Sequence, residues 1–427
     1  MGLNFLFTFL IGLTLLLIGL PVAAVLGLLG TIAGVLMFGE PFINSAGSVI
    51  WSMQNSETLT AIPLFILMGE ILLRSGVADK MYEALAIWLN WLPGRLLHTN
   101  IATCAMFAAT TGASIACSAT VGTVALPTLN QRGYDKPLAL GSLAAGGTLG
   151  ILIPPSVAML VYGSITSNSI GKLFVAGIVP GLIMTLGFSF YIFCRYVTKR
   201  ENIEHYTWPK RFAVLAGLIP PASIFVVVMG SIYLGWATPT ESASLGLLLA
   251  LLLAVFKKRC THQILSKCFI NTAQVSGMVL LIMAAAFLLN MALSMIGIPK
   301  FLSSLVASLE LNYYQLLAVL VVFYIILGMF MDVLSMQVAT IPITYPIVMA
   351  AGGDPIWFGV FIVVMSEMAM LTPPMGMHLF VLQGIRPDQG PIKDVINGSL
   401  PFVFIMLLVL FVLTIYPQTV TWLPSRI

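Results

Sequence analysis

Two proline pairs constrain this chain more than any other feature. Pro154–Pro155 closes GGTLGILIPP (146–155), and Pro373–Pro374 interrupts EMAMLTPPMG (367–376). Both pairs lie inside long apolar segments. A proline within a helix removes a donor, leaves the carbonyl four residues back unpaired, and costs about 3 kcal/mol. Two in succession predict an unwound break. In lipid, free carbonyls persist only where protein, water or an ion satisfies them.

That the surroundings are lipid follows from composition. Of 427 residues, 59% are hydrophobic and 8% charged, too few charges for a water-facing surface. Apolar runs of spanning length recur, so the expected class is an all-α polytopic membrane protein. Spans are predicted at 3–38 (one long helix or two short ones), 57–75, 137–165, 172–198, 211–235, 241–256, 270–295, 355–383 and 396–417. The stretches 98–130 and 313–350 are too interrupted for plain spans. The runs 77–92 and 298–309 read as amphipathic surface helices. No Lys or Arg precedes the first apolar run, so no cleavable signal is expected.

Basic loops set the orientation. Lys199, Arg200, Lys210 and Arg211 form one, and Lys257 to Lys267 another; two spans separate them, so both are placed in the cytoplasm. Arg74, Lys80, Arg95, Arg132, Lys136, Arg386 and Lys393 then fall inside as well. Lys172, Lys300 and Arg426 fall outside. The net charge of +4 is scattered and offers nothing to nucleic acid. The five cysteines give neither a disulfide framework nor metal-ligand spacing.

The proline pairs belong to an internal repeat. Pro127 and Pro346, Asp135 and Asp354, and Pro154 and Pro373 are each 219 residues apart. Gly76 and Gly297, Gly177 and Gly398, and Pro180 and Pro401 are each 221 apart. Six ordered pairs with almost no drift indicate duplication. Five crossings separate equivalent spans if 98–130 enters and leaves on one side, so the second copy is inverted. Inverted repeats with broken helices are the pattern of secondary transporters, with sites near the midplane. The expected fold therefore has inverted-topology repeats, two re-entrant helical hairpins and two discontinuous helices.

Each break has oxygen-bearing or small neighbours. Gly146, Gly147, Thr148 and Gly150 precede the first; Thr372 and Gly376 flank the second. Carbonyl and hydroxyl oxygens suit a small hard cation such as Na⁺. The hairpin TTGASIACSATVGTVALP (110–127) carries Ser114, Ser118 and Thr120 at its tip, where small residues also let backbones approach closely. Its counterpart GMFMDVLSMQVATIPITYP (328–346) carries Asp332, Ser335, Gln337 and Thr340. Asp332 reads either as an intramembrane functional acid or as a helix cap. Asp135 and Asp354 read as N-caps, and Thr238, Pro239 and Glu241 as a capping box. Glu70 and Glu367 are left open. His378 follows the second break, opposite Met159 in the repeat, and reads as a packed polar residue beside the substrate region.

No nucleophile elbow, P-loop or HExxH motif is present. An enzyme is not expected, nor ATP-driven transport within this chain. A channel would conduct without coupling, and the inverted repeat argues against one.

IPLFILMGEILLRSG (62–76), the hairpin 110–127, RGYDKPLALGSLAAGGTLGILIPPS (132–156), GWATPTESASLG (235–246) and LTPPMGMHLFVLQG (371–384) together resemble the large membrane subunit of tripartite ATP-independent periplasmic (TRAP) transporters. The resemblance covers essentially the whole chain. It implies the ion transporter superfamily fold, with a scaffold and an elevator-type transport domain. The corresponding division is 1–56 N-terminal scaffold helices, 57–200 repeat 1, 201–264 connecting scaffold helices and 265–427 repeat 2. It implies Na⁺-coupled import of an organic acid, of the sialic acid or C4-dicarboxylate type, across the bacterial inner membrane. The implied partners are a periplasmic substrate-binding protein and a separate small four-helix membrane subunit; no cofactor beyond the coupling ion is implied. One Na⁺ site would use Ser114, Ser118, Gly147, Thr148, Gly150 and Pro154. The other would use Asp332, Ser335, Gln337, Thr340, Thr372, Pro373 and Gly376. Thr120, Pro155, Ser156, Pro374 and His378 would border the substrate. The alternative is a proton-driven or binding-protein-independent anion transporter of the same superfamily, for which Asp332 is the discriminating residue.

Overall fold

A computed structural model describes residues 20–112, 114–198, 206–308 and 311–426. Helices α1 (Val22–Phe38), α2 (Glu40–Gln54), α3 (Glu57–Arg74) and α4 (Val77–Trp88) lead into a helix pair, α5 (Leu96–Thr111) and α6 (Ser114–Gln131). Next come α7 (Lys136–Thr148), a 3₁₀ turn (Leu149–Ile151) and α8 (Val157–Thr166). Helices α9 (Ile170–Tyr196), α10 (Trp208–Leu215), α11 (Ile219–Tyr233) and α12 (Pro239–Phe256) connect to the second half. There α13 (His262–Ile296) and α14 (Ile298–Ser308) precede a second pair, α15 (Tyr313–Gly328) and α16 (Val333–Ala350). Then follow α17 (Pro355–Leu371), α18 (Met377–Ile385), α19 (Ile392–Ile415) and the short α20 (Gln418–Thr421).

Among the described residues, five helices are long and apolar enough to cross a membrane, or seven if two bent pairs count as spans. Those pairs correct the expected span list. Helix α2, absent from it, meets α3 at 51°. The span expected at 211–235 is split into α10 and α11, bent by 46° around Gly217 and the Pro220–Pro221 pair. Helix α13 starts eight residues before its expected boundary and takes in the buried Cys268. Residues 3–19, and with them the question of one or two first helices, lie outside the described residues, as do Lys199 and Arg200.

The duplication is visible in the backbone. Gly76 and Gly297 both take left-handed conformations, φ +69° and +84°, where α3 and α13 turn into α4 and α14. Both proline pairs are cis. Each broken helix follows a helix pair, as the repeat requires. The two broken helices run in opposite directions: Lys136 at the start of the first is 2.8 Å from Asp388 beyond the end of the second. Tyr162, near the end of the first, reaches Pro355 at the start of the second, 2.6 Å.

Helix α17 forms the core. Every residue from Trp357 to Leu371 is buried. Phe361 stacks with Trp357 and Phe358, and the Trp357 indole donates to the Leu413 carbonyl at 2.9 Å. Helices α7 and α19 cross backbone to backbone: a methyl on Gly398 would lie 1.8 Å from the Pro137 carbonyl oxygen. Small residues permit such crossings. Asp354 caps α17 through the Trp357 amide, 2.8 Å. The Thr238–Glu241 capping box also forms. Asp135 occupies the N-cap position of α7, but its side chain makes no capping bond.

Candidate functional site

The first helix pair is wedged against the first break. Gly112 links α5 to α6 in a left-handed conformation, φ +60°, and any side chain there would meet the Pro155 carbonyl at 2.5 Å. On α6, Ser114 and Ser118 are one helical turn apart and buried. Ser114 Oγ lies 3.0 Å from the Gly147 carbonyl oxygen, and Ser118 Oγ 3.3 Å from that of Leu143. A methyl on Gly147 would sit 1.6 Å from Ser118 Oγ, so this contact requires glycine. Gly150 likewise abuts Ser114. Thr148 is buried and donates to Ala145 O at 2.8 Å. Ser114, Ser118, Gly147 and Gly150 therefore share one junction, with Thr148 next along the chain; Pro154 is buried as well.

His378 completes this junction from the other repeat. Its Nε2 is 2.7 Å from Ser114 Oγ and its Nδ1 is 2.6 Å from Ser118 Oγ. The ring is fully buried. A neutral imidazole offers one donor and one acceptor, and the two hydroxyls can serve either tautomer because each can also donate to a backbone carbonyl. The residue expected beside the substrate region thus ties α18 to α6.

The second junction is built differently. Asp332 caps α16, accepting from the Leu334 and Ser335 amides at 3.2 and 3.3 Å and from the Ser335 hydroxyl. Of its two sequence readings, the structure realises the cap, which engages Ser335 as well. Thr340 donates to Met336 O and meets the buried Tyr324 hydroxyl, 2.9 Å. Gln337 reaches α17, its Nε2 3.2 Å from Ser366 Oγ. Thr372 donates to Met368 O at 2.7 Å. Pro373 is half-buried and Pro374 exposed, whereas Pro154 and Pro155 are buried. Gly376 is buried and packs on Leu379 and the Met370 carbonyl.

Ser156 is committed to capping α8, accepting from the Met159 amide and donating to Ile151 O. Thr120 is half-buried along α6. Among the described residues no group of three His, Cys, Asp or Glu side chains could hold a metal ion. What the junctions provide is hydroxyl and backbone carbonyl oxygen, with the His378 imidazole at the first.

An ionic clasp joins the ends of the two broken helices. The Arg386 guanidinium bonds both Asp388 oxygens, 2.7 and 3.0 Å, and Asp394 at 3.1 Å, while Lys136 meets Asp388. The Arg386 side chain is only 2% exposed. The guanidinium, with Lys136 beside it, holds the Asp388 carboxyl well below the usual carboxylate range. Hydrogen bonding to Asp388 raises the Arg386 guanidinium further above its ordinary value.

Sequence reasoning left Glu367 open and did not place it at a site. Yet the 219-residue offset maps Ser118, Gly147 and Thr148 onto Gln337, Ser366 and Glu367. That signal was available in the sequence. Glu70, the other open acid, pairs with Arg74 at 3.2 Å and accepts from Asn271 at 3.3 Å.

A family model described as "Tripartite ATP-independent periplasmic transporter, DctM component" matches residues 9–419. The chain is 33% identical to the C4-dicarboxylate TRAP transporter large permease protein DctM of Pseudomonas aeruginosa, over 94% of this chain and 93% of that one. It is 28% identical to the ectoine TRAP transporter large permease protein TeaC of Halomonas elongata, over 96% of each. It is 27% identical to the sialic acid TRAP transporter large permease protein SiaM of Vibrio cholerae, again over 96% of each. Among solved structures, the YdaH transporter of Alcanivorax borkumensis shares the fold at a TM-score of 0.61 and 12% identity, over 96% of this chain and 99% of that one.

Proposed function

Because the chain belongs to the DctM family, the large membrane subunits of TRAP transporters, we propose that it is a Na⁺-coupled importer of an organic acid delivered by a periplasmic binding protein. The relatives named above handle a C4-dicarboxylate, ectoine and sialic acid. Each of these solutes carries an acid group, so the proposed substrate class is a small organic acid. The proposed partners are that binding protein and a small membrane subunit, in the bacterial inner membrane.

The observation that carries this reading is the junction of Ser114, Ser118 and the Gly147 carbonyl, closed by His378 from the other repeat. A Na⁺ ion would take hydroxyl and carbonyl oxygens there, with the Ser114 and Ser118 hydrogens turned away from it. At the second junction, Gln337, Thr340, Thr372 and the carbonyls around Pro373 and Gly376 are the proposed ligands. The substrate's acid group would lie between the hairpin tips, near the starts of α8 and α18, whose N-terminal amides favour an anion. Bound cations strengthen that attraction, and by linkage substrate strengthens cation binding equally. The proposed moving unit comprises the two hairpins and two broken helices, sliding as an elevator against a scaffold drawn from residues 1–56, 201–264 and the first and last helices of each repeat.

The test is uptake into proteoliposomes containing this chain, its small subunit and a panel of binding proteins loaded with candidate organic acids. Uptake that needs both an inward Na⁺ gradient and one particular binding protein supports the reading. Uptake indifferent to both, in folded protein, removes it.

A further inference from the structure

Helices α3 and α12 lie side by side and run the same way. Thr240, in the first turn of α12, donates to the carbonyl oxygen of Glu57, the first residue of α3, at 3.1 Å, and a methyl on Gly246 would meet Met68 Sδ further along both. Each helix has 18 residues, so the two end at one level. Helix α11 returns beside α12, with the Ser231 and Ser242 hydroxyls 2.9 Å apart, so its start lies at that level too. Lys257 follows the last residue of α12, Lys80 stands in the first turn of α4 just past α3, and Gly217 marks the corner between α10 and α11. The corner touches α4 directly: a methyl on Gly217 would lie 2.9 Å from the Lys80 carbonyl oxygen.

Lys80 and Lys257 therefore meet at one corner. Lys257 Nζ is buried and has no hydrogen-bond partner among the described residues. Burial first, and the Lys80 charge second, push the Lys257 ammonium below its ordinary value. Glu70 is taken by Arg74 and Asn271. Asp79 and Glu83 are exposed on α4, and neither bonds the Lys257 nitrogen. Glu201 and Glu204 lie outside the described residues. A buried ammonium without an acceptor is costly, and an anion relieves that cost.

The corner has the make-up of a membrane interface. Helix α10 buries none of its residues and exposes Trp208 and Phe212, whose rings stack. The Arg211 guanidinium lies over the Trp208 ring at 5.2 Å, and Lys210 over Tyr206 at 5.0 Å. Cations interleaved with aromatic rings mark a helix at headgroup depth. The Trp88 indole donates to the Arg211 carbonyl at 3.0 Å and holds α10 against α4. Beside the corner Ile219, Val255 and Phe256 are exposed, an apolar surface that acyl chains would cover. A free phosphate would use the cations alone, whereas a phospholipid uses both. We propose that Lys80 and Lys257 bind the phosphate headgroup of an anionic phospholipid, at the corner where α4, α10, α11 and the end of α12 meet. Basic pockets between helices on the face that carries the basic loops recognise such headgroups, and a lysine serves a phosphate as a point charge. Lipid binding here is independent of the transport reading.

The first measurement is native mass spectrometry of the purified chain with lipid added to the detergent. Phosphatidylglycerol should stay bound under conditions that release phosphatidylcholine. Lys257→Gln and Lys80→Gln should each weaken phosphatidylglycerol binding about fivefold, the worth of one lysine at an anionic surface. Lys393→Gln, an exposed lysine elsewhere, should leave it unchanged. Equal retention of the two lipids, or wild-type binding in both Gln variants, overturns the proposal. A loss in Lys393→Gln as large as in the other two also overturns it, in favour of diffuse charge. If Lys257→Gln does not fold, Lys80→Gln decides alone, because its residue is exposed on α4. The second measurement is thermal unfolding of the wild type. Phosphatidylglycerol should raise the midpoint and inorganic phosphate should not. An equal rise with inorganic phosphate overturns the lipid assignment in favour of a free-anion site.

Discussion

The Tyr162 hydroxyl donates to the Pro355 carbonyl oxygen at 2.6 Å, joining the far half of one broken helix to the first residue of the other. Lys136 and Asp388 meet at the opposite ends of the same two elements. The two breaks are therefore antiparallel in space, the arrangement that inverted repeats produce. Cysteines placed at Asp135 and Asp354 should then label from opposite membrane faces, 135 from the cytoplasm. The background should carry Cys194→Ser and Cys260→Ser, since these two are not buried. Loss of the Asp354 cap costs about 1 kcal/mol and should be tolerated. Labelling of both positions from one face would refute the inversion.

Na⁺ dependence should respond to Ser118→Ala and Thr372→Ala. Each variant removes a hydroxyl oxygen from a proposed ion site, and the Na⁺ concentration for half-maximal uptake should rise more than thermal stability falls. Gly147→Ala should be more severe, because its methyl would occupy the Ser118 oxygen position. An unchanged Na⁺ response in both hydroxyl variants would sink the ligand assignment.

His378→Ala removes two hydrogen bonds that cross between the repeats. At about 1 kcal/mol each, the loss corresponds to roughly tenfold or more in Na⁺ affinity if the serines are held in place by the ring. Isothermal titration with Na⁺ would measure it. Wild-type affinity in a folded variant would mean that the ring only fills space.

Gly398→Ala should destabilise the protein by about 1–3 kcal/mol or more, since α7 and α19 must separate to admit a methyl. Gly277→Ala, on α13 with nothing within 4 Å of the added carbon, serves as the control and should be neutral or slightly stabilising. Thermal unfolding in detergent distinguishes the two; equal midpoints would contradict the close crossing.

The Asp388 clasp predicts an acid limb in stability. Its carboxyl is held below the ordinary range by Arg386 first and Lys136 second. The folded form therefore binds this proton less readily than the unfolded chain does. Its contribution is complete above the unfolded value of about 3.9 and fades as pH falls below that toward the folded one. Asp388→Asn should flatten that part of the stability profile. An identical acid limb in the variant would place the titration elsewhere.

Local chemistry was sufficient for much of this architecture. Proline cannot continue the hydrogen-bond ladder, so Pro154–Pro155 and Pro373–Pro374 disclosed the breaks wherever their helices packed. The constant offset disclosed the duplication, and Asp354 and Thr238 announced their caps because a cap depends on neighbours three residues away. Bends were less legible: α10 and α11 divide at a point where hydropathy is continuous, so an apolar window reads straight through the Gly217 to Pro221 corner. The same limit applied to Asp332, whose two readings differ only in whether α16 begins beside it. Contacts between distant segments were beyond reach altogether. His378 is 264 residues from Ser114 and 260 from Ser118, and no periodicity encodes that meeting. Glu70 has Arg74 one helical turn away, a pairing the sequence shows, whereas only the packed structure shows that Glu367 is buried with no hydrogen-bond partner among the described residues. The sequence by itself determined where the two long helices break and that the chain repeats, because the backbone constraint of proline is local. Tertiary structure alone decided which polar groups of distant segments face one another and which, among the described residues, are left without a partner, because burial and pairing are properties of the packed bundle.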